Sequence, residues 1–199
     1  DALAHRRVWL GMLAIFVYVG AEVSIGSFMI NYLSLPQIGD MSQARAAGFV
    51  SLYWGGAMVG RFVGWFIQDS TEVPWLLQNG FAPLRWIGAV LQMRVDPRKL
   101  LAFNAAVATL LVFVTMTTHG SIALWSVVAI GLFNSVMFPN IFTLGIEKFE
   151  ALTGKVSSLL VMAIVGGAVI PLAQGALADG FGVQPAFVLP LLCYLYIVF

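Results

Sequence analysis

The sequence is poor in charge. Asp, Glu, Lys and Arg make up only 10% of its 199 residues, against about a quarter in ordinary soluble domains. A deficit of that size excludes a globule wrapped in a solvated surface. Cysteine is almost missing: Cys193 stands alone in an apolar run, which excludes an internal disulfide and a cysteine-based metal site. His5 and His119 lie at segment ends without a partner at metal-ligand spacing, so no metal is assigned. A net charge of +1, with the basic residues scattered, gives no footprint for nucleic acid. No phosphate-binding glycine loop, nucleophile elbow or pair of catalytic acids occurs on a water-accessible segment, so neither an enzyme nor a cofactor is expected. A cleavable signal peptide is not expected either. The apolar stretch after Ala2–Arg7 far exceeds the roughly 7–15-residue core of such a signal.

What is present is oil. Hydrophobic residues make up 60% of the chain, and the mean hydropathy is +0.93. A bilayer span needs about 20 mostly apolar residues. Val8–Leu33, Gln43–Ile67, Leu100–Thr117, Ile122–Ile146 and Val156–Ala178 meet or approach that length, and Ala186–Phe199 begins a sixth span that stops short. The expected fold is an all-α membrane protein, a six-helix bundle with its last helix truncated. Loops at Ser34–Asp40, Val95–Lys99, Thr118–Gly120 and Glu147–Lys155 separate the spans, and Thr153 is placed to cap the helix after it.

Lysine and arginine orient the bundle. With the N-terminus in the cytoplasm, nine of the ten basic residues fall on the cytoplasmic side, and only Arg45 faces out. The segment around 68–92 fits no span. Its Pro74, Pro83, Asn79 and Gly80 break it, while Trp75 and Trp86 suit an interfacial insert.

One acid interrupts the first span. Glu22 sits near the middle of Val8–Leu33, where an ionised side chain costs roughly 2.5–3.5 kcal/mol by insertion scales. Ionisable groups at that depth face a bundle interior or a wet cavity. Tyr18 lies one turn away on the same helix face and is a candidate hydrogen-bond or stacking partner. A structural carboxylate tied to a neighbouring helix is the other reading. Asn31, nearer the outer end, suits either substrate contact or capping of the helix.

Two later segments carry further signals. In Tyr53–Gly64, Gly56, Gly60 and Gly64 recur every four residues and form a flat packing stripe. Arg61 in that segment suits either a partner for a carboxylate or a positive anchor at the cytoplasmic end. In the fourth span Asn134 precedes Phe138-Pro139-Asn140, where proline kinks the helix and frees carbonyls. Asn134 suits substrate contact or an interhelical hydrogen bond. Gly166-Gly167 and Pro171 mark a flexible or closely packed fifth span.

These segments, taken in order, resemble a known family. Tyr18–Phe28, Tyr53–Gly64, Gly131–Pro139 with Ile141–Leu144, and Met162–Pro171 with Gln174-Gly175 and Ala178-Asp179 closely resemble the fucose–galactose–glucose proton symporters of the major facilitator superfamily. Glu22 makes the chain look more like the glucose/galactose branch. The resemblance implies the C-terminal six-helix half of a twelve-span transporter, a missing N-terminal half as partner, and hexose and a proton as substrates. It also implies a multi-pass protein of a bacterial inner membrane, working by alternating access. On this resemblance Glu22, Tyr18, Asn31, Trp54 and Asn134 would line the sugar cavity, and Arg61, Arg94, Asp96 and Arg98 would serve the cytoplasmic gate. The chain departs from the family in one place, because the arginine–aromatic–x–glycine segment occurs twice, at Arg61–Gly64 and Arg85–Gly88. The alternatives are a facilitator for another small solute and a membrane fragment that does not transport.

Overall fold

The structure, a computed structural model, describes residues 5–69, 96–149 and 152–199. From residue 70 onward the expected insert lies outside the described residues, as does Arg94. The described part is helical: α1 (Arg6–Leu33), α2 (Gln43–Asp69), α3 (Pro97–Thr117), α4 (Gly120–Asn134), α5 (Met137–Ile146), α6 (Thr153–Met162), α7 (Gly166–Phe181) and α8 (Val188–Val198). Short 3-10 turns at Ala163–Val165 and Pro185–Phe187 precede α7 and α8. Among the described residues, four stretches are long and apolar enough to cross a membrane: Arg6–Leu33, Pro97–Thr117, Gly120–Ile146 and Thr153–Phe181. Pro185–Val198 is a shorter apolar stretch. Large apolar side chains such as Trp9, Leu52, Phe62, Phe103, Ile122 and Leu172 lie exposed on the outside, as expected where the solvent is lipid or another apolar surface.

Helix α1 is the axis of the bundle. Val8, Ile15, Tyr18, Ala21, Ile25, Met29 and Tyr32 are fully buried at spacings of three, four or seven residues, so one wide stripe of the helix faces its neighbours. Those neighbours are α2, α4, α5, α6, α7 and α8. Helix α2 leans chiefly on α4, and α3 joins α4 to α8. The stripe expected on α2 has this use for two of its glycines. A Cβ on Gly56 would come to 3.4 Å from the Leu132 amide, and one on Gly60 would collide with Ser135.

Prolines set the breaks. The ring of Pro139 has no N–H and crowds the carbonyl four residues back, which is that of Ser135. The helix is interrupted at Ser135-Val136 and resumes as α5. Pro97 starts α3 at a position where its missing N–H costs nothing. Asp96 is the N-cap there, its Oδ1 accepting from the Arg98 amide at 2.9 Å. Thr153 does not cap the helix it starts. The N-cap is Leu152, and the Thr153 hydroxyl donates backward to the Phe149 carbonyl at 2.8 Å.

Candidate functional site: a carboxylate beside a tyrosine–asparagine hub

Four helices meet around Asn134, the last residue of α4. Its side chain is fully buried. Its Nδ2 donates to the Tyr53 hydroxyl from α2 at 2.9 Å, and its Oδ1 accepts from the Tyr194 hydroxyl of α8 at 2.8 Å. Its main-chain carbonyl accepts from the Tyr18 hydroxyl of α1, also at 2.8 Å. Tyr53 in turn donates to the main-chain carbonyl of Glu22 at 3.2 Å. Three fully buried tyrosines thus find partners for hydroxyls that an apolar interior would otherwise leave unpaired. The break at Ser135 explains why a helix end can sit this deep, since the last carbonyls of α4 lose their helical partners and Tyr18 supplies one of them.

Beside this hub lies the Glu22 carboxylate. The residue is 7% exposed. Tyr18 is within electrostatic reach of it, but a phenol has one proton to give, and Tyr18 gives it to the Asn134 carbonyl. Glu22 Oε1 makes no hydrogen bond within the described residues. Its ionic neighbour is Arg61 on α2, with Nη2 at 3.8 Å from Oε1. The arrangement is a buried carboxylate with charge balance nearby and acceptor capacity to spare. Chemically, it can accept hydrogen bonds from hydroxyl groups or take up a proton.

The expected residues divide into three groups. Tyr18, Glu22, Asn134 and Arg61 come together. Trp54 stands next to them: its indole lies against Gly26, where an added Cβ would meet ring carbon Cζ2 at 3.2 Å, and its ring packs edge-on to Tyr53 with centroids 5.3 Å apart. Asn31 is exposed and stands nine residues beyond Glu22, about 13 Å along the helix at 1.5 Å per residue. It does not cap α1, whose C-cap is Ser34. Asp96 and Arg98 belong to the opposite end, where Arg98 pairs with Glu147 at 3.2 Å. Arg61 is joined to Glu22 and makes no ion pair with this cluster.

Sequence reasoning passed over Tyr53 and Tyr194. The available signal was chemical, because a tyrosine inside an apolar span needs a partner for its hydroxyl. The close packing that sequence reasoning read at Gly166-Gly167 is against α1, a partner it did not name. Gly166 abuts the Phe16 carbonyl, and a Cβ on Gly167 would meet Val19 at 3.1 Å. Gln174 on α7 is fully buried, and neither amide atom is hydrogen-bonded within the described residues.

The described residues form a bundle of apolar helices around a buried acid and a buried asparagine, and relatives of the chain are transporters. A glucose/galactose transporter of Brucella abortus is 48% identical over 199 residues, matching 100% of this chain and 42% of its own length. A putative glucose/galactose transporter of Helicobacter pylori is 39% identical over 98% of this chain and 43% of its own length. The L-fucose–proton symporter of Escherichia coli is 32% identical over 96% of this chain and 39% of its own length. A crystal structure of a major facilitator superfamily transporter, FucP, in the outward conformation superposes with a TM-score of 0.77, at 28% identity, over 99% of this chain and 43% of that one. No family model matches the sequence. Over its whole length the chain is therefore homologous to part of a transporter of the major facilitator superfamily. It spans about two fifths of the curated relatives it matches, as half of such a transporter would. Those relatives are transporters and not enzymes.

Proposed function

We propose that the chain is the C-terminal, six-span half of a proton-coupled hexose transporter of the glucose/galactose type, acting by alternating access in a bacterial inner membrane. In this reading Glu22, Tyr18, Asn134, Trp54 and Asn31 border the cavity shared with the other half. The carboxylate would accept hydrogen bonds from sugar hydroxyls, the Tyr18–Asn134 hub would back it, and the Trp54 ring would cover an apolar sugar face. Asp96, Arg98 and Arg94 would serve the cytoplasmic gate, with the Arg98–Glu147 pair as one of its contacts. The observation that carries the proposal is the buried Glu22 carboxylate with unused acceptor capacity, on a chain 48% identical to a glucose/galactose transporter. Burying such a group is costly unless it is used.

The test is uptake by the full-length transporter in proteoliposomes. Labelled glucose, galactose, fucose and a polyol are offered with and without an inward proton gradient. Accumulation of glucose and galactose that a protonophore abolishes is the expected result. Gradient-independent exchange, or exclusive transport of another solute, would refute the assignment. One observation supports a second reading, a symporter for a deoxysugar: the 32% identity to the L-fucose–proton symporter. The same substrate panel separates the two.

A further inference from the structure

We infer that Arg61 is the counter-ion that positions the Glu22 carboxylate for sugar, so that sugar binding replaces an ion pair by hydroxyl contacts and loosens α2 from α1. This rests on the function proposed above. It gives Arg61 a different role from the cytoplasmic gate that its sequence position suggests.

The helix directions bring the two groups together. Helical side chains lean toward the N-terminus of their own helix. Helices α1 and α2 run in opposite directions: Trp54 on α2 packs on Gly26 of α1, while Arg61, further along α2, reaches back to Glu22. Glu22 therefore leans toward the Arg6 end of α1 and Arg61 toward the Gln43 end of α2, which brings the two heads together. Tyr53 marks the level of Glu22 on α2, because its hydroxyl reaches the Glu22 carbonyl. Arg61 stands eight residues further on, about 12 Å along the axis. The Arg61 head approaches a carboxylate that is 9% exposed at its side chain, while its own side chain stays 54% exposed.

The separation matters as much as the pairing. At 3.8 Å the pair balances charge without a hydrogen bond, and Oε1 stays unbonded. An ionised carboxylate has about four lone-pair sites, so acceptors remain for a polyhydroxylated ligand. The other ionisable groups facing Glu22 are the phenols of Tyr18 on its own helix, Tyr53 on α2 and Tyr194 on α8. Their protons are committed to Asn134 and to the Glu22 main chain. Among the described residues, Arg61 alone forms an ion pair with Glu22. Among the described residues, α2 reaches this part of α1 through Tyr53 on the Glu22 carbonyl, Trp54 on Gly26, and Arg61 on the Glu22 carboxylate. A ligand that takes over the carboxylate removes the ionic contact and lets the two helices move apart.

The experiment is a double-mutant cycle in the full-length transporter, with KM and maximal rate for hexose counterflow as readouts. Arg61→Gln is expected to raise KM about tenfold and to change the maximal rate less. Arg61→Lys, which keeps the charge, is expected to stay within about threefold of the parent. Glu22→Gln with Arg61→Gln is expected to match Glu22→Gln alone, because a positioning residue has nothing left to position. Multiplying effects on KM would overturn the inference. So would a fall in maximal rate at unchanged KM, which is what an independent gate would give. If the parent protein exchanges no hexose, the sugar reading fails by itself. The pairing is then judged by the thermal midpoints of the same four proteins, where strict additivity would overturn it.

Discussion

Replacing Asn134 by alanine tests the hub, and the structure dictates how the damage should be distributed. Tyr194 loses its acceptor outright. Tyr53 loses the proton offered by Asn134 but still donates to the Glu22 carbonyl. Tyr18 loses nothing, since its acceptor is the main-chain carbonyl of residue 134. A buried hydroxyl left without a partner costs about 1–3 kcal/mol, and a lost interhelical hydrogen bond in a membrane protein costs about 0.6 kcal/mol on average. The expected destabilisation is thus about 2–4 kcal/mol. Tyr194→Phe in the Asn134→Ala background removes the unpaired group, so the double variant should be more stable than the sum of the singles by about 1–2 kcal/mol. Tyr18→Phe combined with Asn134→Ala should simply add. Unfolding in mixed micelles of rising denaturing-detergent content, followed by tryptophan fluorescence, gives all five values. Additivity of the Asn134 and Tyr194 substitutions within about 0.5 kcal/mol would show that the two residues are not coupled and that the hub reasoning is wrong.

Three further outcomes follow from the same geometry. Glu22→Gln is expected to weaken sugar uptake by the full-length protein at least about tenfold, roughly 1.4 kcal/mol, and unchanged uptake would remove Glu22 from the site. Gln174→Met keeps the volume of a fully buried side chain but removes two amide atoms that lack hydrogen bonds. It should raise stability by about 1–3 kcal/mol, and a lower thermal midpoint would mean that the amide is satisfied in the membrane. Gly166→Val would drive a side chain into the Phe16 carbonyl and should cost about 2–3 kcal/mol. Equal melting of the variant and parent would show that α1 and α7 separate without penalty.

Much of the helical plan was legible because apolar length is a direct physical requirement of the bilayer. Val8–Leu33 and Leu100–Thr117 differ from α1 and α3 by two or three residues at one end only. The kink at Pro139 was legible as well, though its place was not. The steric conflict falls four residues upstream, so the helix parts at Ser135 and not at the proline. The fifth span was expected as one run, but it contains a 3-10 turn at Ala163–Val165, just ahead of the glycine that docks on the Phe16 carbonyl. Pattern reasoning does not register a contact of that kind with another helix. At the site, Glu22 announced itself by its cost. Asn134 was named as a candidate from its place ahead of the Pro139 kink, but Tyr53 was not, because it lies 31 positions from Glu22 with no pattern to join the two. Tyr194 lies in an apolar run where a tyrosine looks like any other aromatic filler.

Tyr53 and Tyr18 both fasten onto main-chain oxygens, one at Glu22 and the other at Asn134. Every amino acid carries that oxygen. The struts that brace the centre of the bundle are therefore indifferent to which side chain occupies position 22. On the function proposed above, mutation at position 22 would retune ligand preference while the load-carrying frame stays standing, and a lineage would reach new solutes from this fold without first rebuilding it.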